Sequence, residues 1–168
     1  MDAMKRNAWV IKLVGLAFLA SISGGLFASN APATASYQVL ASNTFIFYPK
    51  KLRWVAINDN GKVVKSGQAS GGRNYCPDIK RACRTPTGTF HVVSEGGAGC
   101  RSSRYPVGRG GAKMPYCMFF TNLYAIHGSY ELPNYNASHG CIRVKPTDAK
   151  WLQQNFIKIG TKVVVESY

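Results

Sequence analysis

Leu52-Arg53-Trp54-Val55-Ala56-Ile57-Asn58 runs into Asp59-Asn60-Gly61 and out again through Lys62-Val63-Val64-Lys65-Ser66. Apolar and polar residues partly alternate along the first arm, and Trp54, Val55 and Ile57 suit the pleated surface of a strand. Asn60-Gly61 supplies the backbone freedom of a tight turn, so the stretch predicts an antiparallel hairpin. Working outward, residues 44–47 predict an earlier strand that stops at Pro49, which cannot donate to a ladder. Thr85-Pro86-Thr87-Gly88 reads as a turn launching a strand over residues 89–93. Further strands are expected over residues 117–120 and 123–126, and Val163, Val164 and Val165 predict a buried closing strand. Residues 70–87 and 96–113 are rich in Gly, Pro or Arg and read as loops. Thr147 is placed to cap a short helix reaching Phe156, with Ala149, Leu152 and Phe156 on one face and Gly160 helping to end it. The expected fold is mainly β, a sandwich or barrel-like domain with one short helix.

The first 35 residues read as an export signal preceding a single domain over residues 36–168. Lys5, Arg6 and Lys12 supply positive charge, an apolar run follows from Leu13, and Ala33-Thr34-Ala35 fits a small-residue cleavage site; cleavage after Ala28 is the alternative. The run is short and interrupted by Ser and Gly, which argues against an uncleaved anchor and against an integral membrane span in the mature form. The chain carries a formal charge of +14, and removing Lys5, Arg6, Lys12 and Asp2 leaves about +12. Such a domain is drawn to anionic envelope polymers, with localisation in the periplasm, the cell wall or the medium. A nucleic-acid partner is disfavoured, because no run of Lys and Arg with interleaved aromatics is present.

Cysteine usage agrees with an oxidising compartment. Cys76, Cys83, Cys100, Cys117 and Cys141 leave one over after any two pairings. With Cys141 as the odd thiol, three connectivities remain; Cys76–Cys83 and Cys100–Cys117 are favoured because each closes a local loop. No Cys-x-x-Cys pair is present and the His spacing fits no finger, so no metal site is expected.

Chemistry concentrates in Ser138-His139-Gly140-Cys141-Ile142-Arg143, with His127-Gly128 upstream. A thiol attacks as its thiolate, and an imidazole from another segment can accept its proton. Gly140 removes side-chain bulk beside the sulfur, leaving room for a substrate backbone. These residues point to a cysteine enzyme acting on a carbonyl, which needs no cofactor.

Together with Thr85-Pro86-Thr87-Gly88-Thr89-Phe90 and Asp148-Ala149-Lys150-Trp151-Leu152, these strings resemble the L,D-transpeptidase catalytic domain, the YkuD-like family, over roughly residues 52–165. The resemblance implies peptidoglycan stem peptides as partners and a peptidoglycan reaction. Family members attack the bond between the third residue of a stem tetrapeptide and its terminal D-alanine, and pass the acyl group to an amine. It further implies Cys141 as nucleophile and His127 as general base.

Gly128 is a candidate to orient His127, and Gly140 with Cys141 to offer oxyanion donors. His139 is read as support for the loop or the oxyanion. Ser138 is read as a contact to substrate or to its own backbone. Arg143 is read as a partner for a substrate carboxylate or for backbone carbonyls. His91, alone on a predicted strand, is read as an ordinary histidine. The same acyl-enzyme given to water would make an L,D-carboxypeptidase or amidase. The fold without turnover would make a wall- or host-surface-binding module. The sequence does not give the oligomeric state, and a monomer is assumed.

Overall fold

The computed structural model describes residues 42–106, 108 and 111–168; the expected export segment lies outside the described residues. Nine strands and one helix follow in the order β1 (Thr44–Tyr48), β2 (Arg53–Ile57), β3 (Val63–Ser70), β4 (Gly88–His91), β5 (Ser94–Glu95), β6 (Met118–Phe119), β7 (Ala125–Gly128), β8 (Ile142–Val144), α1 (Pro146–Trp151) and β9 (Lys162–Val165). They join into one curled sheet in the order β4-β9-β1-β2-β3-β8-β7-β6-β5. The expected β-rich domain therefore closes part-way toward a barrel as a single sheet.

The hairpin of residues 52–66 forms as β2 and β3, with Trp54 opposite Gly67 and Val55 opposite Ser66. Along β1 and β2 the strand period of two sends alternate residues inward. Phe45, Phe47, Trp54 and Ala56 are fully buried, and Phe45 stacks on Trp54 with ring centroids 5.7 Å apart. Burying each large side chain contributes about 1.5–3 kcal/mol, so this hairpin and β1 anchor the core. Val163 and Val165 of β9 enter the same core from a strand parallel to β1.

Three local expectations are corrected. The helix starts at Pro146, whose fixed φ and missing N–H suit a first turn, so Lys145 and not Thr147 holds the capping position, without a side-chain cap. It passes into a wider π-type turn, Leu152–Phe156, and ends as Ile157 turns extended; Gly160 comes later, in the turn before β9. Ala149, Leu152 and Phe156 are buried together as the periodicity required. β7 begins later than expected, which places His127 inside the strand. β5 and β8 are absent from the sequence reading, and β8 positions the site.

Two disulfides, Cys76–Cys83 and Cys100–Cys117, close the two loop regions, and Cys141 is the free cysteine. Among the described residues no helix is long and apolar enough to cross a membrane.

Candidate active site

β7 and β8 lie side by side in parallel, with Ile126 opposite Ile142 and His127 opposite Arg143. Parallel strands cannot be joined by a tight turn, so the chain makes an excursion from Ser129 before returning through Cys141. Alternation then sorts the side chains. Ile126, Ile142 and Val144 enter the core. Cys141, Arg143 and His127 share the opposite face of the strand pair and line one cleft, where His127 is 6% exposed and Cys141 half-buried.

The loop before Cys141 is tied down through its own backbone. Ser138 donates its N–H to the Gly71 carbonyl at 2.9 Å and accepts from the Arg73 N–H at 3.0 Å. The Arg73 guanidinium donates to the Ala137 carbonyl at 2.7 and 3.2 Å. The Ser138 hydroxyl accepts from the Gly140 N–H at 3.0 Å and donates to the Cys141 carbonyl. Ser138 is buried, and its hydroxyl is engaged inside the loop. Gly140 sits at φ +122°, and an added Cβ would lie 2.2 Å from the Tyr124 ring. Tyr124 occupies the place a Gly140 side chain would take, so glycine is required by that packing and by the left-handed backbone.

His139 is engaged by other side chains. Its Nε2 lies 2.7 Å from Asp78 Oδ2, and its ring stacks on Tyr105 at 4.4 Å. Asp78 belongs to the loop closed by Cys76–Cys83, whose two sulfurs lie 3.9 and 3.8 Å from the Ser138 carbonyl. Cys76, Asp78 and His139 thus come within 4.8 Å of one another. The Cys76 sulfur is held in a disulfide and His139 in a hydrogen bond to Asp78, so this cluster is a clamp on the loop and not a set of metal ligands.

Burial governs the electrostatics of the central pair. It lowers the His127 pKa to about 4, against the Gly128 carbonyl, which raises it, and with a further lowering from the Arg143 charge. Burial also pushes the Cys141 thiol up, against a backbone hydrogen bond at Ala125 and the attraction of Arg143. At neutral pH the resting pair is a neutral thiol beside a neutral imidazole. Nδ1 of His127 lies 2.9 Å from the Gly128 carbonyl, an acceptor, so the proton sits on Nδ1 and Nε2 keeps its lone pair. Arg143 is drawn below its usual pKa by burial, with Glu131 opposing at 3.5 Å.

Two cavities, of about 340 and 240 Å³, meet at this loop and share Cys141, His139, Tyr105, Ser102 and Met114 in their walls. Of the residues singled out in the sequence, Cys141, His127, Gly128 and Arg143 come together in the smaller cavity. Ser138 and Gly140 hold the loop, and His139 faces both cavities. His91 ends β4, exposed. Asp78, Tyr105 and Tyr124 escaped the sequence reading. Only Asp78 carried a signal, as an acid bracketed by two cysteines.

The sequence model of the L,D-transpeptidase catalytic domain matches residues 44–165. No curated protein sequence matches the chain significantly. Among solved structures, an L,D-transpeptidase from Xylanimonas cellulosilytica is similar at 31% identity and a TM-score of 0.65, over 77% of this chain and 62% of that one. L,D-transpeptidases from Mycobacterium tuberculosis and Mycobacterium smegmatis are similar at 22% and 21% identity, with TM-scores of 0.62 and 0.61. They are covered over 58% and 59% of their length by 75% and 76% of this chain, and at that identity they show the fold alone. The chain spans about three fifths of the length of these structures.

Proposed function

The chain belongs to the L,D-transpeptidase catalytic-domain family, and from that premise we propose that it is an exported cysteine L,D-transpeptidase acting on peptidoglycan stem tetrapeptides. One observation carries the reading. A free thiol and a buried imidazole share one strand face and line one cavity, and the thiol also borders a second, so that donor and acceptor would approach it from different sides. The basic charge supports attraction to an anionic wall.

His127 Nε2 takes the Cys141 proton as the sulfur bonds to the carbonyl carbon that precedes the terminal D-alanine. The Gly140 N–H is committed to Ser138, so the oxyanion role falls to the Cys141 N–H. The C–N bond then breaks, its electron pair goes to the D-alanine nitrogen, and His127 returns the proton there. A thioester on Cys141 remains. An incoming amine attacks it, gives its proton to His127, and expels the sulfur, which regains that proton. The neutral resting pair means that charge separates only as substrate arrives.

Mass spectrometry of disaccharide-tetrapeptide muropeptides tests the proposal, with the mature protein and with Cys141→Ala. Cross-linked dimers lacking one D-alanine, absent with the variant, are expected. Tripeptide monomers alone would move the reading to an L,D-carboxypeptidase. Unchanged masses with both proteins would sink it in favour of a binding module.

The electrostatics add a pH prediction. His127 must be neutral to act, so the acid limb of kcat/KM should fall near pH 4 and not near pH 6.5, the ordinary histidine range. Its folded pKa lies below its unfolded value, so its stability contribution is complete above about pH 6.5 and is lost as pH falls through about 4. That contribution is roughly 3 kcal/mol. An acid limb near 6.5, removed by His127→Gln, would contradict the buried neutral imidazole.

A further inference from the structure

The larger of the two cavities has a charge pattern that peptide-bond chemistry does not require. Arg81, Arg101 and Arg104 line it, and among its described lining residues there is no aspartate or glutamate. Asp78, on the same disulfide-closed loop as Arg81, is engaged by His139 at 2.7 Å. The smaller cavity differs: its Arg143 already faces Glu131 at 3.5 Å. Arg101 braces the wall, donating from Nη1 to the Gly111 carbonyl at 2.9 Å. Arg81 and Arg104 sit on opposite loops, one closed by Cys76–Cys83 and the other by Cys100–Cys117.

Resting on the reading above, we propose that Arg81 and Arg104 form a carboxylate-binding subsite beside Cys141, selecting stem peptides whose carboxyls are free over those in which they are primary amides. The carboxylates meant are those other than the one on the terminal D-alanine. A guanidinium offers paired N–H donors that match a carboxylate and keeps its charge at every physiological pH. A primary amide presents its own NH₂ donors to the same fork, so it loses both the charge attraction and one acceptor oxygen. Two arginines reaching from opposite loops would grip a peptide lying across the cavity, with its scissile carbonyl at the shared Cys141 wall.

Equilibrium binding to Cys141→Ala protein tests the proposal, using one tetrapeptide with free carboxyls and the same tetrapeptide with those carboxyls amidated. The free form should bind at least tenfold more tightly, a difference of about 1.4 kcal/mol. In Cys141→Ala carrying Arg81→Gln and Arg104→Gln the ratio should fall to near one. Lys62→Gln with Lys158→Gln removes the same charge from exposed positions elsewhere, and should leave the ratio intact. Equal binding of the two peptides would overturn the subsite, as would a preference that survives loss of both arginines or disappears with the lysine pair. If neither peptide binds and the unaltered protein consumes neither, the proposed function itself falls and the subsite with it.

Discussion

The two disulfide-closed loops flank the same sulfur, yet they are built in different ways. The chain leading into the loop of Cys76–Cys83 is sewn to the loop that carries Cys141. Residues 71–73 exchange backbone hydrogen bonds with Ser138, and a Cβ on Gly72 would lie 2.0 Å from the Cys83 carbonyl oxygen, so backbone packs directly on backbone. The loop of Cys100–Cys117 is held mostly by itself, through Gly96 to Cys117, Tyr116 to Gly97, Met114 to Cys100 and Ser102 to Ala112. It meets the nucleophile loop through side chains, with Tyr105 stacked on His139. The first loop therefore sets where the sulfur is, and the second forms a wall that substrate passes.

Removing each disulfide should separate these roles. In the chain-entropy account, closing the longer loop of Cys100–Cys117 stabilises by roughly 3 kcal/mol and the shorter Cys76–Cys83 by roughly 2.5 kcal/mol. Cys100→Ser with Cys117→Ser should thus lower Tm at least as much as Cys76→Ser with Cys83→Ser. Turnover should order them the other way. Loss of Cys76–Cys83 should cut kcat at least tenfold, whereas loss of Cys100–Cys117 should mainly raise KM. The comparison breaks if kcat falls equally in both, measured well below each variant's Tm.

What the sequence could show follows the range of the interactions. The hairpin of β2 and β3, the strand β1 and the closing β9 were legible because alternation and β-branched runs are local signals that the sheet simply repeats. The candidate site was legible because Gly140 and Cys141 are adjacent in one string, and the neighbouring strand brings His127 to the same cavity. β8 was hidden: three residues carry too little pattern, and pairing with β7 defines it. The packing of Tyr124 against Gly140 was hidden, since Tyr124 lies on a different segment. Asp78 was hidden by distance, 61 residues before His139.

Severing the side-chain link from the wall is the next sharpening. Tyr105→Ala removes the stack on His139 while leaving the Cys100–Cys117 ladder intact. KM should rise several-fold with kcat within about twofold, because the sulfur keeps its backbone support. A kcat loss matching that of the Cys76–Cys83 variant would mean that the wall also positions the nucleophile.

The smallest effect should come from the Asp78–His139 pair, which joins the first loop to the nucleophile loop by side chains alone. Slight burial works against the Asp78 carboxylate, yet the hydrogen bond and charge of His139 outweigh it and hold the carboxyl below its usual range. The pair is exposed, so salt and water screen it, and the backbone bonds to Ser138 persist without it. Asp78→Asn should lower kcat by no more than a few-fold. Asp78→Glu should recover part of that loss, which a purely steric role would not predict. In the unaltered protein the contribution is present above the carboxylate's unfolded pKa and is lost as pH falls through its lowered folded value. The variant should therefore differ from the parent more above the carboxylate's range than in acid, and more at low salt than at high. A tenfold or larger fall in kcat, insensitive to salt, would place the pair among the main supports of the sulfur and erase the division between backbone-held and side-chain-held contacts.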